Sequence, residues 1–146
     1  HDLKDRTLLE FNDDVVKEIH LDDSTQTFIL KKSTNKWNLA LPESKNSIQS
    51  FIGKDILWTL KSIEFESAIK VDPGNMMTGL IKSKISVKLL DKESKVITHI
   101  SIGNPVAKSS EEHYLKIAKN PVVYTTNKRF LNEILINLKK VKENLT

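Results

Sequence analysis

Histidines are the residues of this chain best suited to proton transfer or metal binding, and there are four: His1, His20, His99 and His113. A helical metal site needs a second histidine or a carboxylate at a matching spacing, and none of the four has such a neighbour. His20 and His99 fall on the polar side of alternating segments, which predicts solvent-facing strand histidines. The chain has no cysteine, so disulfides and thiolate-ligated metals are excluded. We predict no metal or cofactor site.

Paired carboxylates are the second candidate for chemistry, because two neighbouring acids can share acid–base work. The pairs are Asp13–Asp14, Asp22–Asp23 and Glu111–Glu112. The two aspartate pairs stand beside strand starts or in turns, where aspartate bonds to nearby backbone, and the glutamates stand in a polar loop. Adjacent residues of an extended chain also point to opposite faces. We interpret all three pairs as turn and surface residues, and we predict no catalytic residue and no enzyme.

Ligand binding by other motifs finds little support in the sequence. The glycine motifs of nucleotide sites and the G-x-S-x-G motif of hydrolases are absent, and the chain has four glycines. The adjacent Met76 and Met77 could form an adaptable binding surface, and Trp37 and Trp58 could stack on a ligand. Both tryptophans lie on apolar stripes, so we predict that they are core residues and that the methionines pack within their loop.

The charge of the chain is +4 with 23 basic residues, of which only Arg6 and Arg129 are arginine. Arginine dominates the recognition of phosphates and base edges, and the lysines here are dispersed among 19 acidic residues. This pattern disfavours a nucleic-acid partner. A lysine-rich surface that binds an anionic polymer, a lipid or nucleic acid remains the alternative function.

Periodicity predicts the elements that must position these residues. Apolar and polar residues alternate over 15–21, 27–30 and 37–41, and again over 85–89, 96–102, 114–118 and 122–124, which predicts strands. Apolar residues at spacings of three and four predict helices near Ser47–Ile63 and Thr126–Val141, capped by Asn46 or Ser47 and by Thr125 or Thr126. No apolar run approaches the ~20 residues of a membrane span.

The order of these elements predicts an α+β fold with a mainly antiparallel sheet and two principal helices. Residues 1–146 suit a single domain, and the segments 12–65 and 82–142 each read as a strand meander closed by a helix. We predict an internal duplication, with chance likeness of two simple meanders as the alternative. The predicted core residues are Trp37, Phe51, Ile52, Leu60, Ile85, Val87, Ile100, Leu131, Ile134, Leu135 and Leu138.

From about Leu8 to Leu138 the chain resembles a bacterial family known as domain of unknown function 4340. The resemblance rests on the order of these segments: Leu8-Leu9-Glu10-Phe11, Asp13-Asp14-Val15, Ile19-His20-Leu21, Thr27-Phe28-Ile29-Leu30, Lys36-Trp37-Asn38-Leu39 before Pro42, Ile100-Ser101-Ile102-Gly103, Tyr114-Leu115, Val122-Val123-Tyr124 and the closing helix. Similar proteins often carry a Tyr-Gly-Leu segment, of which this chain keeps Gly79-Leu80.

The resemblance implies a cellular setting and no catalytic residues. Such domains are extracytoplasmic parts of membrane-anchored bacterial proteins, some encoded near transporters linked to gliding motility. We therefore expect a non-enzymatic binding or assembly module with a protein partner in the cell envelope, associated with a transporter. The resemblance implies a membrane tether outside residues 1–146, and the start at His1 without methionine fits the removal of such an anchor. The strand edges and the loop Ala107–Glu112 are the expected contact surfaces.

Overall fold

A single antiparallel sheet forms the body of the protein. The computed structural model describes residues 6–43, 48–107 and 111–143. Its strands are β1 (Glu18–Asp22), β2 (Thr27–Ser33), β3 (Lys36–Leu41), β4 (Phe65–Ile69), β5 (Ile85–Leu90), β6 (Val96–Pro105), β7 (Glu112–Ile117) and β8 (Val123–Asn127). The two α-helices are α1 (Ser50–Ser62) and α2 (Lys128–Glu143). The predicted α+β class, the antiparallel sheet and the two principal helices are confirmed.

The strand order is β3-β2-β1-β5-β6-β7-β8-β4, and every neighbouring pair is antiparallel. At the centre, β1 pairs with β5, with Ile19 opposite Leu89 and Leu21 opposite Val87. Outward from this seam, β2 and β3 follow in chain order beyond β1, and β6, β7 and β8 follow in chain order beyond β5. The exception is β4, which follows α1 and pairs with β8 at the far edge. The internal duplication stays a prediction.

The core lies between one face of the sheet and the two helices. Strand alternation sends Ile19 and Leu21 of β1 to this face, where both are fully buried. Helix α1 buries Ile52, Ile56 and Leu60 against the sheet. The buried residues of α2 at helical spacing are Phe130, Leu131, Ile134, Asn137, Leu138 and Val141. Burying each aliphatic side chain of this kind contributes roughly 1.5–3 kcal/mol.

Three predicted core positions are wrong. Phe51, Trp58 and Leu135 are 43%, 71% and 40% exposed. The helices form a single layer over one face of the sheet, so each helix buries the side that faces the sheet or the other helix. The apolar stripes are wider than these buried arcs, and the surplus residues face solvent. The other predicted core residues are buried.

Element boundaries differ from the prediction at the helix starts. Thr125 and Thr126 belong to β8, and Asn127 caps α2 by accepting a hydrogen bond from the backbone N–H of Arg129 at 2.9 Å. The caps predicted for α1, Asn46 and Ser47, lie outside the described residues. Val15 lies in a short 3₁₀ turn, Asp13–Val15, before β1 begins at Glu18. Strand β4 was not predicted.

Candidate functional site

The histidines occupy separate places. His20, on the solvent face of β1, has its Nε2 3.0 Å from a carboxylate oxygen of Glu18. His113 is buried in β7, and its Nδ1 donates to the carbonyl of Gly103 at 2.9 Å. His1 lies outside the described residues. Within residues 6–43, 48–107 and 111–143, no cluster of three or more histidines and carboxylates is placed to hold a metal ion.

His99 lies on the face of the sheet opposite the helices, beside the loop residues Leu80 and Ile81. Burial lowers the pKa of its imidazole, the nearby ammonium of Lys88 lowers it further, and Asp22 opposes both. The charged form of the ring is therefore disfavoured. The ring lies between two shallow depressions of about 260 and 460 Å³. Asp22, His99 and Ser101 all line the larger depression, but among the described residues His99 has no hydrogen bond to Asp22 or to a serine, so these side chains do not form a catalytic triad.

Asp22 and Asp23 shape the turn between β1 and β2. Asp23 Oδ1 accepts from the backbone N–H groups of Thr25 and Gln26 at 3.0 and 2.9 Å. Asp23 Oδ2 accepts from the ammonium of Lys142 at 3.0 Å. Desolvation raises the pKa of Asp23, but these hydrogen bonds and the Thr25 hydroxyl outweigh it and hold the pKa well below its usual range. This carboxylate ties the turn to the end of α2.

The other carboxylate pairs make surface contacts. Asp13 forms an ion pair with Lys61 of α1, and Asp14 lies beside it in the first 3₁₀ turn. Glu111 forms an ion pair with Lys128 at 3.2 Å. These ion pairs connect a turn or a loop to a helix. The structure does not bring the three predicted carboxylate pairs together at one site.

The loop that carries Met76 and Met77, which we call the methionine loop, is fixed to the sheet, but its methionines do not pack as predicted. Met76 and Met77 are 88% and 54% exposed, so the packing prediction is wrong. Between them and β6 lies Thr78, fully buried, whose hydroxyl donates to backbone carbonyls of the loop. Gly79 adopts a left-handed conformation at φ +65°, and a Cβ on Gly103 would lie 2.1 Å from the Thr78 carbonyl oxygen. Backbone contact therefore fixes the loop on the sheet.

A groove between α1 and α2 opens on the outer side of the helix layer. Its volume is about 200 Å³, and its lining residues are Asp55, Trp58, Thr59, Glu133, Ile136, Asn137 and Lys140. Trp58 is 71% exposed and Ile136 is 55% exposed. Large apolar side chains this exposed are common at surfaces that bind other proteins. We call the surface formed by Phe51, Trp58 and Ile136 the helix face.

Asn137 is the buried polar residue of this groove. Its Nδ2 donates to the backbone carbonyl of Glu133, one turn earlier, at 3.1 Å. Its Oδ1 is buried and has no hydrogen-bond partner among the residues that the structure describes. Buried side-chain oxygens nearly always have a partner. This unpaired acceptor lies beneath the surface of the groove, between the two helices.

Sequence reasoning missed the helix face although a signal for it exists. Phe51, Asp55 and Trp58 follow each other at spacings of four and three, as do Glu133, Ile136 and Lys140 at three and four. Each row mixes large apolar residues with charged ones and lies beside the apolar stripe of the core. The two rows could therefore have been recognised from the sequence as a second, partly apolar stripe on each helix. Asn137 gives no such signal, because its burial depends on α1 packing beside α2.

The other expected contact surfaces are the strand edges and a loop. At the β4 edge, the Phe65 N–H donates to the Arg6 carbonyl at 3.0 Å, and the Arg6 guanidinium donates to the Glu66 carbonyl at 2.9 Å. The start of this edge is therefore paired within the chain. In the loop Ala107–Glu112, residues 108–110 lie outside the described part of the chain, and Glu112 begins β7.

Comparison with known proteins adds no relative. Neither a protein-family model, nor a curated protein, nor a solved structure matches the chain. In the described part of the chain, no helix has both the length and the apolar character that crossing a membrane requires. The function must therefore be inferred from the surfaces described above.

Proposed function

We propose that this domain is a non-enzymatic binding module that docks a partner protein on its helix face. We further propose that it works outside the cytoplasmic membrane, in a membrane-anchored bacterial protein associated with a transporter. The exposed Trp58 carries the first part of the proposal, because aromatic anchors supply much of the binding energy of protein interfaces. The location rests on the resemblance to the family of domain of unknown function 4340.

The composition of the helix face supports docking of a protein. Trp58, Ile136 and Phe51 are each more than 40% exposed and all belong to two packed helices. Rigid helices present side chains to a partner with little loss of conformational freedom on binding. A tryptophan in such a place presents a large apolar surface together with an N–H donor.

Photocrosslinking in the native cell tests the docking surface. A photoreactive residue replaces Trp58 in the full-length protein, and a control protein carries it at Glu93, in the exposed turn between β5 and β6. We expect a discrete crosslinked product from position 58 and none from position 93. Identical products from both positions would contradict docking on the helix face.

Fractionation of the full-length protein from its native cell tests the location. We expect recovery in the membrane fraction, and sensitivity of this domain to protease added from outside the cytoplasmic membrane. Recovery in the cytosol, from a gene without an upstream membrane segment, would contradict the proposed setting.

A second candidate function, binding of an anionic lipid surface, is favoured by the methionine loop. Met76, Met77 and Ile81 are exposed, and Lys82 and Lys84 follow them. Apolar tips with flanking lysines are typical of segments that lie at a lipid interface. Sedimentation with vesicles of anionic phospholipid tests this function. We expect the protein to bind the vesicles, and this binding to weaken in high salt and in Met76→Ser.

A further inference from the structure

We infer that the partner docks through a segment that inserts an arginine side chain into the groove between α1 and α2, against Trp58. This inference deepens the proposed function and rests on it, because it names the chemistry that the helix face recognises. The groove offers two complementary features, an exposed indole and two carboxylates.

Electrostatics favour a cation in this groove. The carboxylates of Asp55 and Glu133 both line it, and neither forms a hydrogen bond or an ion pair with another described residue. The groove also contains the ammonium of Lys140, which lies 5.4 Å from the ring centroid of Phe51. Two carboxylates against one ammonium leave the groove with a charge of −1, on a chain whose net charge is +4. A basic side chain is attracted here more than to the rest of the surface.

Hydrogen bonding favours a side chain with several donors. An arginine presents five N–H donors in a planar fork, so one guanidinium can bond a carboxylate of the groove through two parallel hydrogen bonds. A lysine ammonium has three donors and lacks this planar geometry.

The walls of the groove suit the same side chain. Trp58 exposes its indole, the aromatic ring that binds cations best, and guanidinium groups stack on such rings. Ile136 provides an apolar surface for the methylene stem of an arginine. A hydrophobic segment without a cation would bury the two carboxylates of Asp55 and Glu133 with the single ammonium of Lys140 to compensate them, which is unfavourable.

Two synthetic helical peptides test the inference with the whole protein chain. Both are built from alanine and leucine; one has a central arginine, and the other has citrulline, which has nearly the same shape without the charge. ¹H–¹⁵N NMR follows the indole N–H of Trp58 and the side-chain amide of Asn137 during titration. We expect both signals to shift with the arginine peptide, and this peptide to bind about ten-fold more tightly than the citrulline peptide.

Charge-matched variants separate the groove from general electrostatics. Asp55→Asn with Glu133→Gln removes the groove carboxylates, whereas Glu10→Gln with Glu93→Gln removes two exposed carboxylates elsewhere. We expect the first pair of substitutions to abolish the preference for arginine and the second pair to preserve it. Equal loss of this preference in both pairs would overturn the inference, because net charge alone would explain the binding.

Further outcomes distinguish this inference from the proposed function. If both peptides bind equally and Trp58→Ala abolishes both, the groove binds apolar helices; the arginine inference is then overturned while docking on the helix face stands. If Trp58→Ala has no effect on binding of the arginine peptide, both the arginine inference and docking on the helix face are overturned. Failure of the arginine peptide to bind at millimolar concentration also overturns the inference. Light scattering tests whether the groove binds a second copy of this chain. A dimer that is lost in Trp58→Ala would show that it does, and it would overturn the inference of an arginine-bearing partner.

Discussion

The indole of Trp37 lies directly against the backbone of Gly53, so that a Cβ at position 53 would be 2.3 Å from Cδ1 of the indole. Trp37 is on β3, near one edge of the sheet, and Gly53 is near the start of α1. Glycine weakens a helix, but here its missing side chain lets α1 approach the sheet closely enough to bury Trp37. The contact explains a glycine inside an apolar helical run.

Gly53→Ala should destabilise the protein by about 1–3 kcal/mol, because the added methyl group must displace the Trp37 ring. The better helix propensity of alanine, worth about 1 kcal/mol, offsets part of this cost. Urea unfolding measures the change. Lys54→Ala, at the next and exposed position, is the control and should stay within about 0.5 kcal/mol of the wild type. A Gly53→Ala protein as stable as the wild type would show that Trp37 moves aside.

Much of the fold was predictable because its signals are local. The alternation around Ile19 and around Val87 fixes both strands and the faces they bury. The position of β4 was not predictable. Its residues Glu66, Ser67 and Ala68 are all exposed, so no apolar alternation marks the strand, and its partner Val123 lies far away in the chain.

The helix face was mispredicted for a different reason. Periodicity shows that Trp58 and Leu60 both belong to an apolar run, but it does not show how wide an arc the sheet and the other helix cover. That width depends on α1 and α2 lying side by side in one layer. The candidate site includes Asn137, and its missing partner follows from the same tertiary packing.

Leu135 and Leu138 form a matched pair for testing the orientation of α2. Leu138 is 2% exposed, and Leu138→Ala should cost about 2–5 kcal/mol through lost burial and a cavity. Leu135 is 40% exposed, and Leu135→Ala should cost well under 1 kcal/mol, at about the level of ordinary surface substitutions. Urea unfolding of both variants measures the difference. Equal costs would mean that α2 is rotated relative to the sheet.

Trp58→Ala should leave folding stability within about 0.5 kcal/mol of the wild type, because the side chain is 71% exposed. Leu60→Ala, in the same helix but fully buried, should cost about 2–5 kcal/mol. Fluorescence gives a second measurement: removing Trp58 leaves the buried Trp37, so the emission should shift to shorter wavelength. A large loss of stability in Trp58→Ala would show that this residue supports the fold rather than a partner.

Asp23 should contribute stability that depends on pH. Its folded-state pKa lies well below the unfolded value of about 3.9, because Thr25, Gln26 and Lys142 donate to its carboxylate and outweigh desolvation. A depressed carboxylate pKa stabilises the folded state fully above the unfolded pKa, and this stabilisation is lost as the pH falls through the folded pKa. Since Asp23 has a side chain only 12% exposed, solvent screens these contacts weakly.

Asp23→Asn should therefore destabilise the protein at pH 7 by roughly 1–2 kcal/mol, through the loss of charge-assisted hydrogen bonds. The difference from the wild type should shrink as the pH falls below about 4, because the Asp23 carboxylate of the unfolded chain then binds a proton while that of the folded protein stays ionised. Urea unfolding at pH 7, 5, 4 and 3 measures this change. Lys142→Gln should reproduce part of the loss at pH 7, since it removes the donor 3.0 Å from Asp23 Oδ2. A stability difference that stays constant from pH 7 to 3 would contradict the assignment, because the carboxylate charge would then contribute nothing.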